Sequence, residues 1–211
     1  GDHRDLHSFP TRRSSDLKRR AEVVGVFVDQ PLDEIVWLAD RCLLTAVQLH
    51  GHEGPAFCAE VARRTGCKVV KAVRVRDAAT VRSLQPYHVD YHLLDAYVPG
   101  TPGGTGATFN WELARMHDHG VPVILAGGLN PDNVAAAIAA VRPFAVDVSS
   151  GVERRPGDKD LARVRALVAA VAAADRELAH ESEVPATQSQ TSAAQRRHGR
   201  SPLAGAKAGR R

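Results

Sequence analysis

Three polar residues stand where apolar runs of strand length end. Tyr91-His92-Leu93-Leu94 leads into Asp95, Ala46–Leu49 leads into His50-Gly51, and Phe144–Val148 carries Asp147 into Ser149-Ser150-Gly151. A carboxylate partly shielded at such a position can keep its proton and serve as a general acid. For Asp95 the competing reading is a cap on a local turn. His50 could contact a substrate or tune a neighbour near neutral pH, or be merely accommodated. Asp147 shares strand parity with Ala145 and Ser149, so if Ser149 faces a pocket, Asp147 points the same way. A buried inward carboxylate needs partners, and the alternatives are substrate hydroxyls or amines and a structural salt bridge to Lys71.

Two turns of small residues suggest an anion site. Val121–Ala126 ends in Gly127-Gly128, just before a helix announced by Asn130 as cap, Pro131 in the first turn and Asp132 at the positive dipole end. Glycines before a helix N-terminus leave N–H groups free and let an anion come close. Ser149-Ser150-Gly151 offers hydroxyls and more N–H groups. Either turn alone is more often a connection. Two of them after adjacent parallel strands match the place where phosphosugar barrels hold phosphate, so Gly127, Gly128, Ser149, Ser150 and Gly151 are candidate phosphate ligands.

The elements that position these residues alternate along the chain. Apolar runs predict strands at 23–28, 46–49, 68–75, 89–95, 121–126 and 144–148, with helices over Pro55–Arg64, Asp77–Leu84 and Asn110–His117 among the segments between them. The helix after Pro131 carries Val134, Ile138 and Val141 at helical spacing. A last helix, Asp158–Leu178, has Leu161, Val164, Leu167, Val168 and Val171 as its expected buried stripe. This pattern predicts an α/β fold, a TIM (β/α)8 barrel that is incomplete, with about six of eight βα units. A doubly wound sheet would carry a glycine-rich fingerprint after its first strand, where Asp29-Gln30-Pro31 stands instead.

With 211 residues, 44% hydrophobic and only 5% aromatic, the chain suits one aliphatic α/β core. Its net charge of +4 belongs to the ends: residues 1–20 carry +3 and residues 181–211 carry +4, leaving the middle at −3. Solvated tails explain the basic balance better than a nucleic-acid site does. Residues 1–17 show neither period and are expected to be a non-native or disordered leader, residues 18–180 the partial barrel, and residues 181–211 a disordered basic tail. Cys42, Cys58 and Cys67 form no C-x-x-C pair and have no histidines at ligand spacing, so no metal site is expected, and they fit a reducing cytoplasm. No apolar run reaches membrane-spanning length.

Between Asp95 and the next helix, Ala96–Thr108 contains Gly103, Gly104 and Gly106, enough backbone freedom for a lid over bound substrate. It has no Gly-Lys-Ser/Thr ending, which argues against nucleotide hydrolysis.

The motifs QLHG at 48–51, LLD at 93–95, GGTG at 103–106, FNW at 109–111, AGGLNPDNV at 126–134 and VDVSSGVE at 146–153 follow one another in a distinctive order. In this the chain, from Val23 to Leu178, resembles the phosphoribosylanthranilate isomerases. The resemblance implies a TIM barrel that converts N-(5′-phosphoribosyl)anthranilate to 1-(2-carboxyphenylamino)-1-deoxyribulose 5-phosphate in tryptophan biosynthesis, by an Amadori rearrangement without cofactor. It implies Asp95 as the general acid on the ribose ring oxygen and Gly128, Ser149 and Ser150 as phosphate ligands. The family's general base is a cysteine ending the first strand, with a substrate-orienting arginine after the second. Neither has a counterpart here, and none of Cys42, Cys58 or Cys67 matches that motif. The chain as it stands is therefore expected to be inactive and, because the strands at 23–28 and 144–148 are left as unpaired edges without the first two units, unstable or aggregation-prone. The alternatives are a non-catalytic barrel remnant that binds phosphate or a partner, and another phosphosugar-binding TIM-barrel enzyme.

Overall fold

The computed structural model describes residues 21–95 and 111–183. Over these the chain alternates strand and helix as its hydrophobic periods require. The order is β1 (Val24–Phe27), α1 (Leu32–Arg41), β2 (Ala46–Leu49), α2 (Pro55–Thr65), β3 (Lys68–Arg74), α3 (Ala78–Arg82) and β4 (Tyr91–Asp95). Then come α4 (Trp111–Arg115), β5 (Val123–Ala126), α5 (Val134–Val141), β6 (Ala145–Val146), a 3-10 turn (Ser150–Val152), β7 (Glu153–Arg155), β8 (Asp158–Lys159) and α6 (Leu161–Glu183). Strands β1 to β6 pair in sequence order, all parallel, while β7 and β8 form a small antiparallel hairpin. Six parallel strands with intervening helices are six units of a (β/α)8 architecture, as the sequence predicts.

Period-2 alternation sends each strand's residues to two different cores. Gln48 pairs Val70, and Ala72 pairs Leu93, which pairs Ile124. This inner face packs Val70, Ala72, Leu93 and Ala126 with Tyr91 and Ile124. The residues between them face the helices. Phe27, Val47, Leu49 and Val69 pack with Ile35 of α1 and Val61 of α2, and Leu94 and Leu125 pack with Val81, Ala114 and Ala137 of α3, α4 and α5. Gly25 is needed in this outer layer, because a Cβ there would lie 2.4 Å from the Leu44 side chain. At the two flanks, Val24, Val26, Val28 and Phe144 are 45%, 60%, 60% and 66% exposed. β1 and β6 each pair with a single strand among the described residues, and so lack cover on that side.

Two expectations about helices are corrected. The helix after Gly128 begins at Val134, not at Pro131. Asn130 still caps, but it caps a preceding turn, its Oδ1 accepting from the N–H groups of Asp132 and Asn133 at 2.8 and 3.2 Å. In α6 the expected stripe is too wide, since Leu161 and Val168 are 69% and 62% exposed. The less exposed positions are Val164, Leu167, Val171 and Ala174, and at about 100° per residue Leu161 and Val168 fall to one side of that line. The chain divides into two units, residues 1–174 and 175–211. The second is described only over Asp175–Glu183, the last turns of α6.

Candidate functional site

The carboxyl ends of the strands gather the polar residues singled out from the sequence. Asp95 is the last residue of β4, half-buried, in register with Arg74 of β3 and Ala126 of β5. His50 follows β2 and Asp147 follows β6, both on the inner face by parity. Asp95 and Asp147 are close enough to His50, and Asp95 to Asp147, for their charges to be felt there. Partial desolvation pushes the His50 imidazole below its usual range and Lys71 adds to this, while the negative charges of Asp95 and Asp147 oppose it. Desolvation also pushes the Asp147 carboxyl up, Asp95 reinforces the shift as a like charge, and His50 and Lys159 work against it. Asp147 is an exposed residue, not the buried carboxylate the sequence suggested; the strand ends around it withdraw part of its hydration without covering it.

Gln48, two residues before His50 on the same face, was missed in the sequence. Its Nε2 donates to His50 Nε2 at 2.5 Å. An amide nitrogen cannot accept, so the histidine nitrogen does, and the ring proton of the neutral imidazole sits on Nδ1. The signal was available in the Gln-x-His spacing of QLH, which in a strand puts both side chains on one face.

The two small-residue turns abut each other. Gly127 and Gly128 take φ of 91° and 65°, a left-handed region costly for other residues. A Cβ on Gly151 would come within 1.9 Å of the Leu129 carbonyl oxygen, so only glycine allows this approach. Asn133 braces the first turn, its Nδ2 donating to the Gly128 carbonyl at 3.0 Å and its Oδ1 accepting from the Asn130 N–H at 2.9 Å. Among the described residues no backbone carbonyl accepts from the N–H groups of Gly128, Leu129, Ser150 or Gly151. Such a cluster of N–H donors next to two serine hydroxyls is suited to an oxyanion.

The salt bridge considered between Asp147 and Lys71 is not formed. Lys71 is in register with Leu49 and His92, so it points to the helix side, away from Asp147. There it is buried and donates to Glu53 Oε2 and to the Gly51 carbonyl, both at 2.8 Å. The cysteines also lie off the site. Cys42 ends α1 and Cys67 precedes β3 at its amino end. Cys58 is buried on α2, where burial pushes its thiol up to about 11. The candidate lid glycines Gly103, Gly104 and Gly106, and Asn110, lie outside the described residues. A cavity of about 850 Å³ lined by His117, Asp118, Arg142 and Phe144 opens at the opposite, amino ends of β5 and β6. Among the described residues no group of three or more His, Cys, Asp or Glu side chains is arranged to hold a metal ion, and no helix is long and apolar enough to cross a membrane.

Comparison with known proteins identifies the family and the fold. A family model for N-(5′-phosphoribosyl)anthranilate isomerase matches residues 8–170. The N-(5′-phosphoribosyl)anthranilate isomerase of Geobacter metallireducens is 51% identical over 147 residues, 70% of this chain and 71% of that protein. The isomerase of Moorella thermoacetica is 53% identical over 154 residues, 72% of this chain and 67% of that one. Among solved structures, phosphoribosyl anthranilate isomerase from Thermotoga maritima superposes with a TM-score of 0.69 at 39% identity, over 77% of this chain and 78% of that chain. A structure of such an isomerase bound to reduced 1-(o-carboxyphenylamino)-1-deoxyribulose 5-phosphate superposes with a TM-score of 0.64 at 35% identity, over 77% of each chain.

Proposed function

The chain belongs to the N-(5′-phosphoribosyl)anthranilate isomerase family of tryptophan biosynthesis, and on that premise we propose how its strand-end residues serve the isomerisation. The observation that carries the proposal is the placing of Asp95, His50 and Asp147 on one inner face, together with the paired glycine and serine turns. The phosphate of the substrate sits on the N–H groups of Gly128, Ser150 and Gly151 and on the hydroxyls of Ser149 and Ser150, with Gly127 shaping the approach. Asp95 protonates the ribose ring oxygen, which opens the ring to an iminium ion. Loss of the proton on the adjacent carbon then gives an enaminol that rearranges to the ketone. His50 and Asp147 hold the sugar hydroxyls. Both steps are proton transfers, so the chemistry asks for no redox or electrophilic cofactor.

The removal of the carbon-bound proton needs a base. The family resemblance assigns it to a cysteine at a strand end, and the three cysteines of this chain lie elsewhere. The ligand is a small phosphosugar and not a nucleic acid, and the free thiols of the three cysteines fit a cytoplasmic setting.

The test is to measure affinity for the reduced product and turnover of the substrate, on the 211-residue chain and on Asp95→Asn. Binding by both, with residual turnover falling a further ~100-fold in the variant, is the expected result. Binding without any turnover in the parent favours a phosphate-binding role alone. Unchanged turnover in Asp95→Asn overturns the role of Asp95.

A further inference from the structure

The hairpin β7–β8 returns one side chain to the phosphate turn. Lys159 Nζ lies 2.9 Å from the Ser149 carbonyl oxygen, 3.3 Å from Ser149 Oγ and 2.6 Å from Glu153 Oε1. An ammonium has three donors and no acceptor, so all of its bonding capacity goes to this one turn and its carboxylate. Two consequences follow for Ser149. Its carbonyl is claimed by Lys159 as well as by the Val152 N–H at 3.4 Å, which pins the 3-10 turn that presents Ser150 and Gly151. Its hydroxyl oxygen must accept from the lysine, so the hydroxyl hydrogen is the part left to donate.

We propose that Lys159 is a positioning residue for the substrate phosphate, orienting the Ser149 hydroxyl as a donor and holding a positive charge beside the bound dianion. This rests on the reading of Gly128, Ser149 and Ser150 as the phosphate site. Glu153, 14% exposed on its side chain, balances the ammonium when no anion is bound. The charge reaches further into the site as well, because Lys159 is one of the groups acting on Asp147. The role follows from the fold of the hairpin: Lys159 lies ten residues after Ser149, and the tight turn at Gly157, with φ of 80°, brings it back.

The experiment compares the 211-residue chain with Lys159→Met and Lys159→Arg for binding of the reduced product and of the same compound lacking its phosphate. Lys159→Met is expected to weaken binding of the phosphorylated ligand by about 10- to 100-fold, the scale of a charge-assisted hydrogen bond. Lys159→Arg recovers it to within about threefold, and the dephosphorylated ligand binds all three proteins alike. Equal binding of the phosphorylated ligand by parent and Lys159→Met overturns the proposal. Equal loss of both ligands does so too, since it marks a general collapse of the site. If the parent itself does not prefer the phosphorylated ligand, the phosphate site fails first and the role of Lys159 with it. Should Lys159→Met not fold, Lys159→Gln and Lys159→Arg provide the same comparison.

Discussion

The same strands carry ionisable side chains to two opposite faces, and the two sets behave differently. On the helix side, Lys71 of β3 and His92 of β4 are 2% and 0% exposed and their hydrogen bonds are spent inside the protein. Lys71 meets Glu53 and the Gly51 carbonyl, and the other Glu53 oxygen accepts from the Asp29 N–H at 2.9 Å. His92 bonds His117 through Nδ1 at 2.7 Å and the Tyr87 carbonyl through Nε2 at 3.2 Å. On the inner side, His50 and Asp147 are exposed, and Asp147 owes its raised carboxyl to desolvation and neighbouring charge, with no hydrogen bond contributing. Charged residue types therefore do not distinguish structure from site. Bonding capacity left unspent does, because a substrate can be held only by groups the protein has not already satisfied.

Breaking the comparison on its saturated side should have the largest effect. Lys71→Met leaves the Glu53 carboxylate buried without its partner and is expected to cost about 3–5 kcal/mol of stability in chemical denaturation. Replacing both members with apolar residues should recover most of that loss, and a Lys71→Met protein as stable as the parent would show the pair to be incidental.

Acid comes next. Burial, with the neighbouring His117 adding to it, holds the His92 imidazole down to about 4 from an ordinary 6.5. Between these values the unfolded chain binds the proton and the native chain does not, so stability rises with pH across the window and is lost as pH falls through it. The expected loss from this residue between pH 6.5 and 4 is on the order of 3 kcal/mol. A denaturation series in that range should flatten in His92→Gln if the histidine is its source.

The smallest effect is expected on the inner face. Desolvation and the like charge of Asp95 oppose the charge on Asp147, so it contributes little to stability, and Asp147→Asn should stay within about 0.5 kcal/mol of the parent, given solvent screening at an exposed site. Affinity for the reduced product should fall in the same variant. A stability loss as large as that of Lys71→Met would place Asp147 with the structural groups.

The sites legible in the sequence were those set by local pattern. Asp95, His50 and Asp147 stand at the ends of apolar runs, and the strands that carry them are found where those runs predict them. What was not legible depended on two separate segments. The exposure of Leu161 and Val168 reflects which neighbours α6 has, which its own periodicity does not reveal.

By itself the sequence determined six strands, their alternation with helices, and the two turns that only small residues can make, because backbone sterics and hydrophobic period act within a few residues. Only the tertiary structure decided that Lys71 pairs with Glu53 and not Asp147, that His92 meets His117 edge-on through a ring-nitrogen hydrogen bond, and that Lys159 returns to Ser149. Each of these contacts joins residues 10 to 25 positions apart. Register across neighbouring strands and the path of a hairpin bring them together, and a one-residue slip would send every one of those side chains to the other face.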